Sequence, residues 1–129
     1  SLTKMMTAIV TLELATDLRL DIRSTFFMVS QRASSTIGTT ANLVEGQVLS
    51  IWELLHGLML PSGNDAAMVL AENFSYKLLR NANRSIRDEE DQPLRAPENS
   101  VYPFVKLMNK TARKIHMRLS NYANPHGLA

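Results

Sequence analysis

The chain has 129 residues, 45% of them hydrophobic and 20% charged, enough for one globular core and too few for two domains of ordinary size. It contains no cysteine, so disulfides and thiolate metal sites are excluded and any catalysis uses oxygen or nitrogen groups. The formal charge of +2 is mild but unevenly spread: no acid occurs from Asn99 to Ala129, while Lys106, Lys110, Arg113, Lys114 and Arg118 all fall there. No apolar run reaches the roughly 18 residues needed to span a membrane. Glu13, Asp17 and Arg19 interrupt the N-terminal apolar residues, so that stretch is no signal peptide, and any export signal or membrane anchor is expected to lie outside this chain.

In chain order, Met5, Ala8, Ile9, Leu12 and Ala15 recur at spacings of three and four, which predicts an amphipathic helix over 3–18 with that stripe on the core. Phe26 to Ser30 and Gly46 to Leu49 are short extended candidates joined by a polar, Thr- and Ser-rich connection, a pattern read as a small hairpin. Ser50 followed by Glu53 matches a capping box and predicts a helix from Ile51 to Leu60, ended by Pro61. Asn64 or Asp65 can cap a further helix through Phe74 with a small face of Ala66, Ala67 and Ala71. Residues 81–99, rich in charge and holding Pro93 and Pro97, read as a solvated loop. A last helix is expected from Val101 to about Arg118, with Val105, Met108, Ala112, Ile115 and Leu119 inward, followed by a turn at Asn124-Pro125-His126-Gly127. Trp52, Met59, Met68 and Phe74 are assigned to the core.

Two short constellations can carry chemistry. Ser1 and Lys4 stand three apart on one helical turn, so a hydroxyl and an amine share a side. A serine hydroxyl becomes a nucleophile when a neighbouring base takes its proton, and a lysine serves where burial or nearby cations favour its neutral form. Ser62-Gly63-Asn64 lies between two predicted helices, where a hydroxyl can relay a proton and an amide can hold a substrate amide; turn formation and helix capping are the bland alternative.

The string from Leu54 to Ala67, with Ser62-Gly63-Asn64 inside it, resembles the low-molecular-weight penicillin-binding D-alanyl-D-alanine carboxypeptidases. Ser1 to Ala8, Phe104 to Asn109 and Asn124 to Leu128 match the same family in the same order. The middle motif, Ser-Gly-Asn, favours the carboxypeptidase branch over class A β-lactamases, which carry Ser-Asp-Asn.

The resemblance implies that Ser1 attacks the carbonyl between two terminal D-alanines of a peptidoglycan stem peptide, or a β-lactam, with Lys4 as base. Ser62 would pass a proton to the leaving amine and Asn64 would orient the substrate. It also implies an extracytoplasmic setting, no cofactor and no metal. The fold implied is the α/β architecture of β-lactamases and transpeptidases, with residues 1–129 as one partial domain: its helical region and a small β-hairpin, mainly α. The family's third motif, Lys-Thr-Gly on a strand, is missing, because Lys110-Thr111 is followed by Ala112 in a predicted helix. Since one oxyanion donor is worth about a hundredfold to a thousandfold in rate, the chain alone is expected to be a poor enzyme whose sheet is completed by other sequence or by a partner chain. The alternative is an inactive homologue serving as a structural subunit.

Three other signals have plainer readings. The stripe of Lys106, Lys110, Lys114 and Arg118 lacks interleaved aromatics, so nucleic acid is not expected and a solvated helix face is. His56, His116 and His126 share no metal-ligand spacing; His116 stands where the family often has glycine, a place for the left-handed region. Three glycosylation sequons, at Asn73, Asn83 and Asn109, are incidental.

Overall fold

The computed structural model describes the backbone of residues 2–90 and 100–122, and side chains within 2–82 and 100–116. Its elements are α1 (Leu2–Asp17), β1 (Phe26–Met28), α2 (Gln31–Ser34), β2 (Val48–Ser50), α3 (Ile51–Met59), α4 (Asn64–Glu90) and α5 (Tyr102–Tyr122). The mainly helical character with one small hairpin agrees with the sequence reading.

Helix α1 forms where predicted, with Ala15 of the expected stripe buried and Ala8 packed partly on the core, but its inward side is only in part the expected one. The buried residues are Thr7, Val10, Thr11, Leu14 and Ala15, whereas Met5 and Leu12 of the expected stripe are 51% and 46% exposed. Threonine is polar, yet the Thr7 hydroxyl donates to the Thr3 carbonyl one turn back at 3.0 Å, which frees its methyl face for packing. The helix ends with Arg19 in the left-handed region at φ 56°, while Leu20 N–H donates to Ala15 O and Arg19 N–H to Thr16 O. That is the two-bond helix stop in which glycine is the usual occupant of the left-handed place.

The hairpin pairs antiparallel, with Phe26 opposite Ser50, Phe27 opposite Leu49 and Met28 opposite Val48. Its connection holds the short α2, which the sequence did not suggest. Ser30 caps it by accepting from Ala33 N–H at 3.0 Å, and the same hydroxyl donates to Glu72 of α4 at 2.7 Å. Both bonds of the predicted capping box are present at α3: Glu53 N–H donates to Ser50 Oγ at 3.0 Å and Ser50 N–H to Glu53 Oε1 at 2.9 Å.

Helix α4 runs far beyond Phe74, so the first part of the expected 81–99 loop is helical through Glu90. Residues 81–90 hold neither proline nor glycine, and arginine and glutamate support a helix whether or not it is packed; low apolar content was the wrong criterion for a break. Residues 91–99 and the Asn124–Gly127 turn lie outside the described residues.

Helix α5 also forms, with Met108 and Ile115 of the expected face partly buried, but its deepest residue is Phe104 rather than Val105. Phe104 is fully buried, Leu107 and Met108 pack partly against the core, and Val105 and Ala112 are exposed. His116 lies within this helix and so does not take the left-handed conformation expected of it. Lys106, Lys110 and Lys114 are exposed, and Lys110-Thr111 is helical rather than on a strand.

Buried apolar residues of β1 and of all five helices form one cluster that includes Phe74. Its ring meets Phe27 edge-on at 5.1 Å and Phe104 in a stacked arrangement at 6.2 Å, so hairpin, α4 and α5 share one aromatic centre. Trp52 and Met59 are not core residues. Trp52 is 39% exposed, with the Arg23 guanidinium 5.0 Å over its ring and His56 4.1 Å away, and Met59 is about half exposed. Helix α1 packs against α3, α4 and α5. Among the described residues, no helix is long and apolar enough to cross a membrane.

Candidate active-site turn

The turn between α3 and α4 is built by crowding. Leu60 N–H still donates to His56 O, ending α3, and Gly63 N–H then donates back to Gly57 O at 3.1 Å. A side chain at Gly63 would place its Cβ 2.8 Å from Gly57 O, 2.8 Å from Asp65 Oδ1 and 3.0 Å from Ala41 N, so only glycine fits. Ser62, immediately before it, sits in the left-handed region at φ 56°. For a residue with a side chain this costs on the order of 1–2 kcal/mol, and it persists only where the surroundings impose it.

The segment from Ile37 to Leu43 supplies those surroundings. The Thr39 hydroxyl donates to Ser62 O at 2.5 Å, Asn64 N–H donates to Thr39 O at 2.7 Å, and the Asn64 side-chain amide donates to Ile37 O at 2.9 Å. Gly38 is the other necessary glycine: its φ is +100°, and a Cβ there would collide with the Asn64 amide nitrogen. Gly57 lies close to the 37–43 segment and to α4, with an added Cβ 3.2 Å from that of Ala41 and 3.5 Å from that of Ala66.

Beneath the turn lies Asp65, wholly buried. Oδ1 accepts from Ala41 N–H and Ala66 N–H at 2.9 Å each, and Oδ2 accepts from the Thr40 hydroxyl at 2.7 Å and Leu43 N–H at 3.0 Å. Burial pushes this carboxyl up, but the Thr40 hydroxyl and the three amides outweigh it and hold the group below the ordinary aspartate value.

Of the four residues singled out from sequence, Ser1 lies outside the described residues, and Lys4 is half-buried in the first turn of α1. Ser62 and Asn64 are adjacent in one pinned turn, Asn64 being the first residue of α4. Among the described residues no hydrogen bond joins Lys4 to either. Nor do the Ser62 hydroxyl and Asn64 Oδ1 have partners there, although the backbone around them is engaged. Asp65, Thr39 and Thr40 escaped the sequence reading. The one signal the sequence offers for Asp65, an acid directly after Ser-Gly-Asn, is equally that of a helix cap. No cluster of three or more histidines and acids suited to a metal occurs among the described residues.

Comparison with known proteins bears on the family of the chain. A family profile described as D-alanyl-D-alanine carboxypeptidase matches residues 1–77. The chain is 30% identical over 128 residues to the D-alanyl-D-alanine carboxypeptidase DacF of Bacillus subtilis (strain 168), a match covering 99% of this chain and 27% of that protein. It is 39% identical over 80 residues to the D-alanyl-D-alanine carboxypeptidase of Streptomyces sp. (strain K15), covering 57% of this chain and 25% of that one. The crystal structure of the D-alanyl-D-alanine carboxypeptidase DacD from Francisella tularensis superposes on the whole chain with a TM-score of 0.62 and 29% identity, over 25% of its own length. The chain thus spans about a quarter of the relatives it matches. With the profile covering more than half of its residues, the chain belongs to the D-alanyl-D-alanine carboxypeptidase family.

Proposed function

We propose that the chain carries one wall of the active site of a serine D-alanyl-D-alanine carboxypeptidase, acting outside the cytoplasm on peptidoglycan stem peptides and acylated by penicillins. The observation that supports this best is the division of labour at the α3–α4 turn. Its backbone is tied at Ser62 O, Gly63 N and Asn64 N, while the Ser62 hydroxyl and Asn64 Oδ1 have no partner among the described residues. The Ala66 amide at the start of α4 is taken by Asp65 Oδ1, so neither the Ser62 hydroxyl nor Asn64 Oδ1 serves as a helix cap. Here they are held in place and left available to a ligand.

In this reading the Ser1 oxygen bonds to the carbonyl carbon of the penultimate D-alanine as its proton passes to Lys4. The bond to the terminal D-alanine nitrogen breaks, and that amine leaves with a proton delivered through Ser62. Asn64 Oδ1 accepts from a substrate N–H. Water then attacks the ester at Ser1 and releases the shortened peptide. Lys110-Thr111, helical and exposed at Lys110, is not the source of the oxyanion donors or of the cation that meets the terminal carboxylate, and this reading takes both from residues other than the described ones. The family match favours this enzyme over a structural subunit. The test is acylation of the full-length gene product by a fluorescent penicillin, with Ser1→Ala expected to abolish it; equal labelling of the two proteins would refute the role of Ser1.

A further inference from the structure

We propose that Asp65 is the positioning residue of this site, fixing the Ser62–Asn64 turn against the 37–43 segment in the one arrangement that allows acylation. The inference deepens the acyl-enzyme reading above and rests on it.

The geometry gives Asp65 this place in three ways. Its carboxylate joins parts of the chain that are far apart in sequence, holding Thr40, Ala41 and Leu43 of the connection on the same two oxygens as Ala66 of α4. Four donors occupy its two oxygens, two on each, and none is a cation. A buried carboxylate is tolerated only when it is so satisfied, which makes the four bonds interdependent: losing one leaves the others around an undersatisfied charge.

Secondly, the carboxylate lies directly against the middle of the turn, since a Cβ on Gly63 would meet Asp65 Oδ1 at 2.8 Å. Thirdly, the left-handed Ser62 is imposed by bonds from the very segment that Asp65 anchors, namely the Thr39 hydroxyl to Ser62 O and Asn64 N–H to Thr39 O. If residues 40–43 are released, Thr39 loses its footing and Ser62 can relax to an ordinary conformation that redirects its hydroxyl. Asp65 has no exposed surface and cannot touch a substrate, so its action is through Ser62 and Asn64.

The test compares wild type, Asp65→Asn and Thr40→Val in the full-length gene product. Stopped-flow reaction with a fluorescent penicillin separates the dissociation constant of the first complex from the acylation rate constant, at a temperature where circular dichroism shows each protein folded. The asparagine keeps one oxygen for Ala41 and Ala66 but turns an amide towards Leu43 N–H. The acylation rate constant of Asp65→Asn is expected to fall about tenfold or more, because misplacing a reacting group by about 1 Å can cost about a hundredfold. The dissociation constant should change less than about threefold. Thr40→Val, which removes a single donor, should lower the acylation rate constant by about threefold.

A merely structural role would leave the rate constant of the folded variants untouched, and acylation by folded Asp65→Asn within about twofold of wild type would overturn the proposal. Should Asp65→Asn fail to fold, Thr40→Val decides in the same way, an unchanged rate constant being the overturning result. Absence of labelling in wild type would instead remove the acyl-enzyme reading and this inference with it. Undiminished labelling of the variants beside a labelled wild type would remove the role of Asp65 alone.

Discussion

Gly63→Ala makes the strictest demand on the account of the turn. The added Cβ would stand 2.8 Å from both Gly57 O and Asp65 Oδ1 and 3.0 Å from Ala41 N. Comfortable carbon–oxygen contacts begin near 3.3 Å, so the surroundings must yield by about 0.5 Å. Two of the three atoms are backbone, and the third is a carboxylate held by four hydrogen bonds; none is the free end of a flexible side chain. Overpacking of this kind costs about 1–3 kcal/mol. Against it stands a gain of about 0.4–1 kcal/mol, because alanine reduces the freedom of the unfolded chain. The net expectation is destabilisation by about 1–2 kcal/mol, read as a lowered urea midpoint at unchanged m-value. Penicillin acylation should fall as well, since the turn can relieve the contact only by moving Ser62 or Asn64. A variant as stable as wild type would show that Gly57, Gly63 and Ala41 do not approach one another as described.

Two further outcomes follow from named contacts. Ser50→Ala removes the hydroxyl that accepts from Glu53 N–H at the start of α3 and should cost about 1 kcal/mol in urea unfolding. The second concerns acid: because the Asp65 carboxyl is held below its ordinary value, the stability it contributes is complete above about pH 3.9 and is lost as pH falls through the lower folded value. Urea midpoints measured down to about pH 2 should therefore drop in wild type and drop less in Asp65→Asn, which has no charge to lose at that position.

What the sequence revealed of the fold was its local part. The capping box of Ser50 and Glu53 lies within four consecutive residues, and both of its bonds form as expected. The hairpin strands announce themselves by aromatic and branched residues, and pair in the expected region. Helix faces were harder, because they depend on what lies opposite. Thr7 and Thr11 of α1 are buried by α3, α4 and α5, and a count of apolar side chains passes over them. On α5 the decisive residue was Phe104, drawn in by Phe74 and by the bond from its N–H to Ser75 Oγ.

The candidate site divides the same way. Ser62-Gly63-Asn64 could be recognised as a string, since its family pattern is contiguous. Its support could not, because Asp65 reaches residues 22 to 25 positions away and Thr39 reaches Ser62 across 23. Nothing in a run of Ser, Thr and Gly between two short strands foretells that it will be stitched to the next interhelical turn. The structure adds to the motif the reason it has a fixed shape.

The most direct test of the central claim is mass mapping of the penicillin adduct on the full-length gene product. The account predicts a single acyl group on Ser1, absent from Ser1→Ala and formed more slowly in Ser62→Ala. An adduct on any other residue, or none on a folded wild-type protein, would contradict it.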